Sequence, residues 1–434
     1  MQLTLSSLLL RGVGMAYRVV LQGRIGAEGM GLYQLIMTIY GLFSMVSCAG
    51  LTITVSRLCA ERPMAQRSIV CKSCGYAAVL GGTLGLLLYF SADFIAGSLL
   101  KDLRACAALR WIAPSLPMMG ISAALRGYFI ARGDVLRPTV AQVAEQLARV
   151  TLVLAALELL AVTDLTQACG IILFGATAAE LFSVLLHIAF LHAHPLHTMQ
   201  VIPLHEVLGG IMPILFGCAV QSGLQTAENL LIPLLLEAGG ASVSAALSQY
   251  GMLGGMVLPV LLFPTALPAA FGTLLLPEIA KARSAGHIHR VQQLSLCSLR
   301  LTLLMSIGFC ALFLLCGKGL MQLLYRSDAA CGMLMLLSPL LPLVYLDGLC
   351  DALLKGLGKQ TATMVVETAD GVLRVMGIAL LLPRLGMAGY IAVLYLSGFC
   401  CCIARLALLM RAAGLENSTM LKMLLFTKKK TCTA

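Results

Sequence analysis

Twelve apolar runs, each about as long as a bilayer-crossing helix, constrain this chain more than any other feature. They fall near residues 3–23, 32–56, 70–92, 106–130, 138–160, 168–191, 207–236, 243–276, 292–316, 331–354, 362–383 and 386–411. A helix rises about 1.5 Å per residue, so roughly 20 apolar residues cross the hydrocarbon core. Lipid offers no hydrogen-bond partner, and the backbone must satisfy itself inside each helix. The sequence therefore predicts an all-α polytopic membrane protein. Composition agrees, with 59% hydrophobic and 11% charged residues, which excludes a soluble domain of this length. No basic region followed by a small-residue cleavage site opens the chain, so the first run is read as a retained span. The eighth run is overlong and holds Pro259, Pro264 and Pro268, which predicts a kinked or broken helix.

The net charge of +11 sits in short loops without aromatic interleaving, a pattern of topology signals and anionic-lipid contacts rather than of nucleic-acid binding. Sixteen Lys and Arg residues fall on one side of the predicted spans and six on the other. The richer side holds Arg57 to Lys72, Arg132, Arg137, Lys281 to Arg290, Lys355, Lys359, Arg411 and the tail with Lys422 and Lys428 to Lys430. This predicts a plasma-membrane protein with both termini cytoplasmic. Most of the 16 cysteines lie in apolar runs as small hydrophobes, and the lone pair Cys71 and Cys74 lacks a second pair for a metal or redox site. Gly317-Lys-Gly319 lacks the flanking residues of a phosphate-binding loop, so nucleotide hydrolysis is not expected. The histidines at 187, 192, 194, 197 and 205 fit no ligand spacing and read as a solvated linker; no metal or cofactor is expected.

An internal repeat organises the runs. Leu125-Arg-Gly127 leads through Thr139 to Glu145 and Arg149, and Leu354-Lys-Gly356 leads through Thr361 to Glu367 and Arg374. Each threonine precedes its glutamate by six positions, and Gly26 to Leu35 has an echo in Gly240 to Tyr250. The expectation is two pseudo-symmetric six-helix lobes, residues 1–191 and 207–412, with a cytoplasmic His-rich linker at 192–206 and a basic tail at 413–434.

Ionisable residues inside such spans mark function by default, because burying a charge in lipid costs about 2.5–3.5 kcal/mol. Arg11 and Arg18 lie two helical turns apart on the first run, with Gln22 extending the stripe and Gly14 thinning the helix between them. They are the first candidates for one wall of an anion-attracting cavity, against the alternatives of snorkelling and structural pairing. Gln221, Gln225, Glu228 and Asn229 on the seventh run are candidates for hydrogen bonding to sugar hydroxyls or for a coupling cation, or for packing between helices. Arg300 has no obvious local partner and is a further cavity candidate. Glu145 with Arg149, and Asp347, Asp351, Glu367, Asp370 and Arg374 in the second half, are candidates for structural ion pairs or for sodium or proton coupling. Gly14, Pro213, Gly217 and Pro264 are candidate bending points.

Several of these strings, together with others along the chain, resemble a known family. Arg11 to Arg18, Gly26-Ala-Glu-Gly-Met-Gly-Leu-Tyr-Gln-Leu35, Ser56-Arg57 with Ala60-Glu61, Arg126-Gly-Tyr-Phe129, Pro138-Thr139 with Glu145-Gln146 and Arg149, and Tyr250-Gly251 with Gly255-Met256 are similar to the stage V sporulation protein B family. That family lies in the multidrug/oligosaccharidyl-lipid/polysaccharide (MOP) exporter superfamily. The resemblance implies a MATE-like pair of lobes that moves undecaprenyl-diphosphate-linked oligosaccharide or peptidoglycan precursor by alternating access. It also implies partners in cell-wall synthesis. Such proteins often carry two further spans, which in the lipid II flippase form a groove for the lipid tail. Three other readings stay open: a cation-coupled multidrug exporter of the same superfamily, a non-transporting scaffold of cell-wall or spore-cortex synthesis, and a polyprenyl-sugar polymerase or ligase. The exporter would rely on Glu228 or on Asp347 and Asp351 rather than on the arginines. A polymerase or ligase would need a sizeable external loop, and none is read here.

Overall fold

The computed structural model describes residues 2–160, 164–192 and 200–414. His194 and His197 of the linker and the tail lysines Lys422 and Lys428 to Lys430 lie outside the described residues. Sixteen α-helices run in order: α1 Gln2–Cys48, α2 Leu51–Glu61, α3 Gln66–Phe94, α4 Ala105–Ile112, α5 Ser115–Ala131, α6 Leu136–Leu159, α7 Leu165–His192, α8 Leu204–Ala238, α9 Val243–Gly251, α10 Leu258–Leu262, α11 Ala266–Ser284, α12 Ile288–Tyr325, α13 Asp328–Leu337, α14 Leu341–Gly356, α15 Gln360–Leu385 and α16 Met387–Ala413. Nine stretches among the described residues are long and apolar enough to cross a membrane. The first of them, Leu9–Glu61, holds two of the apolar runs. The run broken between α4 and α5 and the charged α15 account for the other two.

Proline explains the interruptions. Pro114 and Pro117 fall where α4 gives way to α5, and Pro339 and Pro342 fall where α13 gives way to α14. These are the fourth and tenth runs, equivalent positions of the two halves. The eighth run is broken as its prolines predict, into α9, a π-helical stretch Met252–Val257, α10, a 3₁₀ turn Phe263–Thr265 and α11. Gly26 kinks α1 with φ 68° and ψ −174°, a backbone region essentially restricted to glycine, where another residue would be strained by about 1–3 kcal/mol.

The chain divides into two compact units, residues 1–233 with 243–251, and residues 234–242 with 252–434. The division falls later than the 192–206 boundary expected from the repeat, because α8 and α9 pack on first-unit helices. The echoing segments face each other here. A Cβ on Gly31 would stand 2.1 Å from the Leu247 carbonyl oxygen, and one on Gly251 would stand 2.2 Å from the Ala27 oxygen. Only glycine permits that approach of α1 and α9, the close packing on which helices in lipid rely. The same device joins α3 to α5, where Gly81 lies against Pro117 and Gly85 against the Ala113 carbonyl. The described part of the expected linker is largely exposed, His192 and His205 included, and is anchored to the first unit. Gln200 N–H donates to the Met64 carbonyl at 3.2 Å, Lys72 donates to the Ile202 carbonyl, and Arg62 pairs with Glu206 at 2.7 Å. His187 is no linker residue; it is buried in α7 and its Nδ1 lies 2.8 Å from the Ser183 carbonyl.

In the first unit an apolar core runs through Leu51, Ile69, Leu125, Phe129 and Ile211. The second unit has its own, around Ile279, Leu299, Leu349, Leu353 and Leu409.

Candidate functional site

The charges of the first unit converge on α1, α5, α6 and α7. Gly14 leaves room beside α6, with the Gln146 amide nitrogen 3.8 Å from where a Cβ would stand. Arg149 of α6 and Arg18 of α1 both act on the Tyr33 hydroxyl. Arg149 donates to Glu145 at 2.6 Å. Glu180 of α7, only 5% exposed, lies within electrostatic reach of Glu145 and Arg149. Arg126 of α5 acts on Glu180 as well. Three arginines, Arg18, Arg126 and Arg149, are therefore linked through shared neighbours in a region holding two carboxyl residues, Glu145 and Glu180. The Nε atoms of Arg126 and Arg149 are buried without hydrogen-bond partners among the described residues. Arg18 forms no ion pair among them and is half-buried. Arg11 is exposed two turns earlier, and Gln22 is half-buried one turn later.

Sequence reasoning missed two members of this group. Glu180 stands alone in an apolar run with no cation three or four residues away, and Arg126 sits in a string read as a repeat marker. The signal was available, since each is ionisable inside a span.

On α8 the expected stripe does not share one environment. Gln225 is exposed, whereas Glu228 is 7% exposed and acts on the Tyr250 hydroxyl of α9. The two positions lie about 60° apart around a helix, enough for the edge of the packed face to fall between them. Ser222 and Thr226 are buried polar residues of the same helix, while Gln221 and Asn229 are half-buried.

Near the Gly26 kink, Glu28 accepts from Arg104 at 2.8 Å and from Ser244 at 2.6 Å. Arg104 also grips Asp102, with its NH2 2.7 Å from one oxygen. Those Asp102 hydrogen bonds, with the Glu28 contact adding and burial opposing, hold the Arg104 guanidinium above its ordinary pKa. This latch ties α1, the turn before α4 and the start of α9.

The second unit has a different balance. Arg405 of α16, which sequence reasoning passed over, is buried between Asp347 at 2.5 Å and Asp351 at 4.0 Å. Lys355 also holds Asp351, at 2.6 Å. The repeat made Glu367 the counterpart of Glu145, yet Asp370 takes Arg374, at 2.9 Å, and accepts from Ser397. Spacing explains the exchange, because 370 and 374 are four apart and 367 and 374 are seven. Glu367 is half-buried and within electrostatic reach of Arg405. Arg300 is half-buried and forms no ion pair among the described residues.

Comparison with known proteins agrees with this architecture. Residues 1–209 match the family described as polysaccharide biosynthesis protein. Over 398 residues the chain is 27% identical to stage V sporulation protein B of Bacillus subtilis (strain 168), covering 87% of this chain and 76% of that one. A multidrug resistance MATE family transporter of the MOP superfamily, solved in an inward-facing conformation, matches with a TM-score of 0.76 at 14% identity, over 94% of this chain and 95% of the other. The chain has the fold of that transporter. It is also similar to the lipid II flippase MurJ in an inward closed conformation, with a TM-score of 0.73 at 13% identity, over 98% of this chain and 90% of that one. The family resemblance and the MATE-like all-helical class read from the sequence are therefore borne out, and the Gly26 to Leu35 string has a structural role in the α1–α9 contact.

Proposed function

We propose that this chain is a flippase of the MOP type that moves a polyprenyl-diphosphate-linked oligosaccharide or peptidoglycan precursor across the plasma membrane, with both termini cytoplasmic. The observation that carries the reading is the gathering of arginine in the first unit, where Arg149 pairs with Glu145, Arg126 acts on the buried Glu180, and Arg18, acting with Arg149 on Tyr33, forms no ion pair among the described residues. Guanidinium groups suit a diphosphate because their planar donors bind its oxygens in pairs and keep their charge. Exposed polar residues on these helices, Arg11 and Gln225, are too costly to face lipid and fit a wetted path. No covalent bond changes in such a cycle. The two lobes at 1–191 and 207–412 would alternate access, and outward movement of an anion from a negative interior gains about 2.3 kcal/mol per charge per 100 mV.

The competing drug-exporter reading needs an acidic residue free to take a cation. Asp347, Asp351 and Asp370 are instead held by Arg405, Lys355 and Arg374, which takes the acidic pair from that reading and leaves it to Glu228, buried near Tyr250. The deciding measurement is translocation of a labelled polyprenyl-diphosphate sugar in liposomes carrying wild-type protein or Arg18→Ala at equal levels. Transport by wild type and loss in the variant supports the reading. Equal transport in both removes the proposed anion site, and no transport by wild type leaves the scaffold reading in its place.

A further inference from the structure

At one end of the second unit a cavity of about 320 Å³ is lined by Arg283, Lys359 and Arg411, with Leu354 and Leu408 as apolar walls. The three cations come from separate elements: the end of α11, the turn before α15 and the end of α16. No carboxylate lines the cavity, and none of the three forms an ion pair among the described residues. Arg283 is fixed from behind, its NH1 donating to the Ala412 carbonyl at 3.3 Å, and Gln292 caps the Gly414 carbonyl at 2.7 Å. The last carbonyls of α16 are thus already satisfied, and Arg411 is not needed to cap them.

A helix terminus adds to the field. α15 begins at Gln360 with no side-chain cap, and its first-turn residue Ala362 lines the cavity. The N-terminus of a 26-residue helix presents free N–H groups and a partial positive charge. A concave site with three cations from separate elements, amide donors and apolar walls matches a phosphate carried on an acyl chain. The end of α16, a helix long and apolar enough to cross a membrane, borders the cavity, at the level where lipid headgroups lie.

We infer that this cavity binds the phosphate headgroup of an anionic phospholipid, with Arg283, Lys359 and Arg411 as its ligands. The site is separate from the first-unit arginines and does not rest on the transport reading, because binding is measured without transport. The probe is fluorescent phosphatidylglycerol titrated into the full-length protein in nanodiscs of phosphatidylcholine. Single variants Arg283→Gln, Lys359→Gln and Arg411→Gln should each weaken binding about fivefold, the worth of one basic residue near an anionic surface. Arg290→Gln, which removes an exposed cation paired with Glu278 and absent from the cavity lining, should leave it unchanged. Thermal unfolding of each variant separates lost binding from lost fold, and Lys359→Arg should restore affinity. Wild-type affinity in the folded triple variant, or equal loss in Arg290→Gln, overturns the site. Displacement of the lipid probe by millimolar inorganic phosphate overturns the lipid assignment in favour of a soluble phosphate.

Discussion

Arg18 and Arg405 are both arginines in apolar helices, and their partners set them apart. Arg405 is buried against Asp347 and Asp351, so Arg405→Ala leaves two carboxylates with Lys355 as the remaining partner of one of them. Breaking a buried pair from one side costs about 3 kcal/mol or more. Thermal unfolding in detergent should therefore show a large loss for Arg405→Ala. Arg24→Ala, which removes an exposed pair with Glu158, should change stability by about 1 kcal/mol or less. Arg18 has no such debt to the fold, and Arg18→Ala should express and unfold as wild type. Its expected loss is in translocation, about tenfold or more, since a charge-assisted hydrogen bond to a phosphate is worth about 1.5–3 kcal/mol. At this scale the sequence was legible where two charges sat in register, as Glu145 and Arg149 do. It was opaque where a charge stood alone, because Glu180 and Arg405 find their partners on other helices.

Among the elements, the contact of α1 with α9 depends on hydrogen in place of a methyl group. Gly31→Ala should force the two helices apart and lower stability by about 1–3 kcal/mol, the usual range for overpacking. Gly41→Ala is the control, since a Cβ there meets nothing within 4 Å, and it should be neutral or slightly stabilising. Apolar length made the spans readable and proline made their breaks readable, as in the eighth run. That Gly26 to Leu35 would pack on its own echo at Gly240 to Tyr250 was not readable. Self-similarity records two copies of a pattern, whereas their contact depends on shape at the backbone.

For the molecule as a whole, repeat and packing divide the chain in different places. The repeat predicts a boundary near residues 192–206, while the compact units part at 233, 242 and 251. Sequence periodicity locates where a copy begins, and burial locates which surfaces have met, so the second was not legible from the first. If the cargo is a diphosphate anion, imposing an inside-negative potential on the liposomes should speed its outward flipping, and reversing the potential should slow it. A rate indifferent to potential would mean that the carried charge is neutralised in transit. The last passage between units, after Gly251, opens directly into the π-helical stretch Met252–Val257. A π turn holds more residues than an α turn, so this stretch carries slack winding, like a screw with one thread cut coarser than the rest. Taking up one residue of that slack would turn everything beyond it by about 100°, so a single deletion within 252–257 should spare membrane insertion while presenting a different side of α10 and α11 to their neighbours.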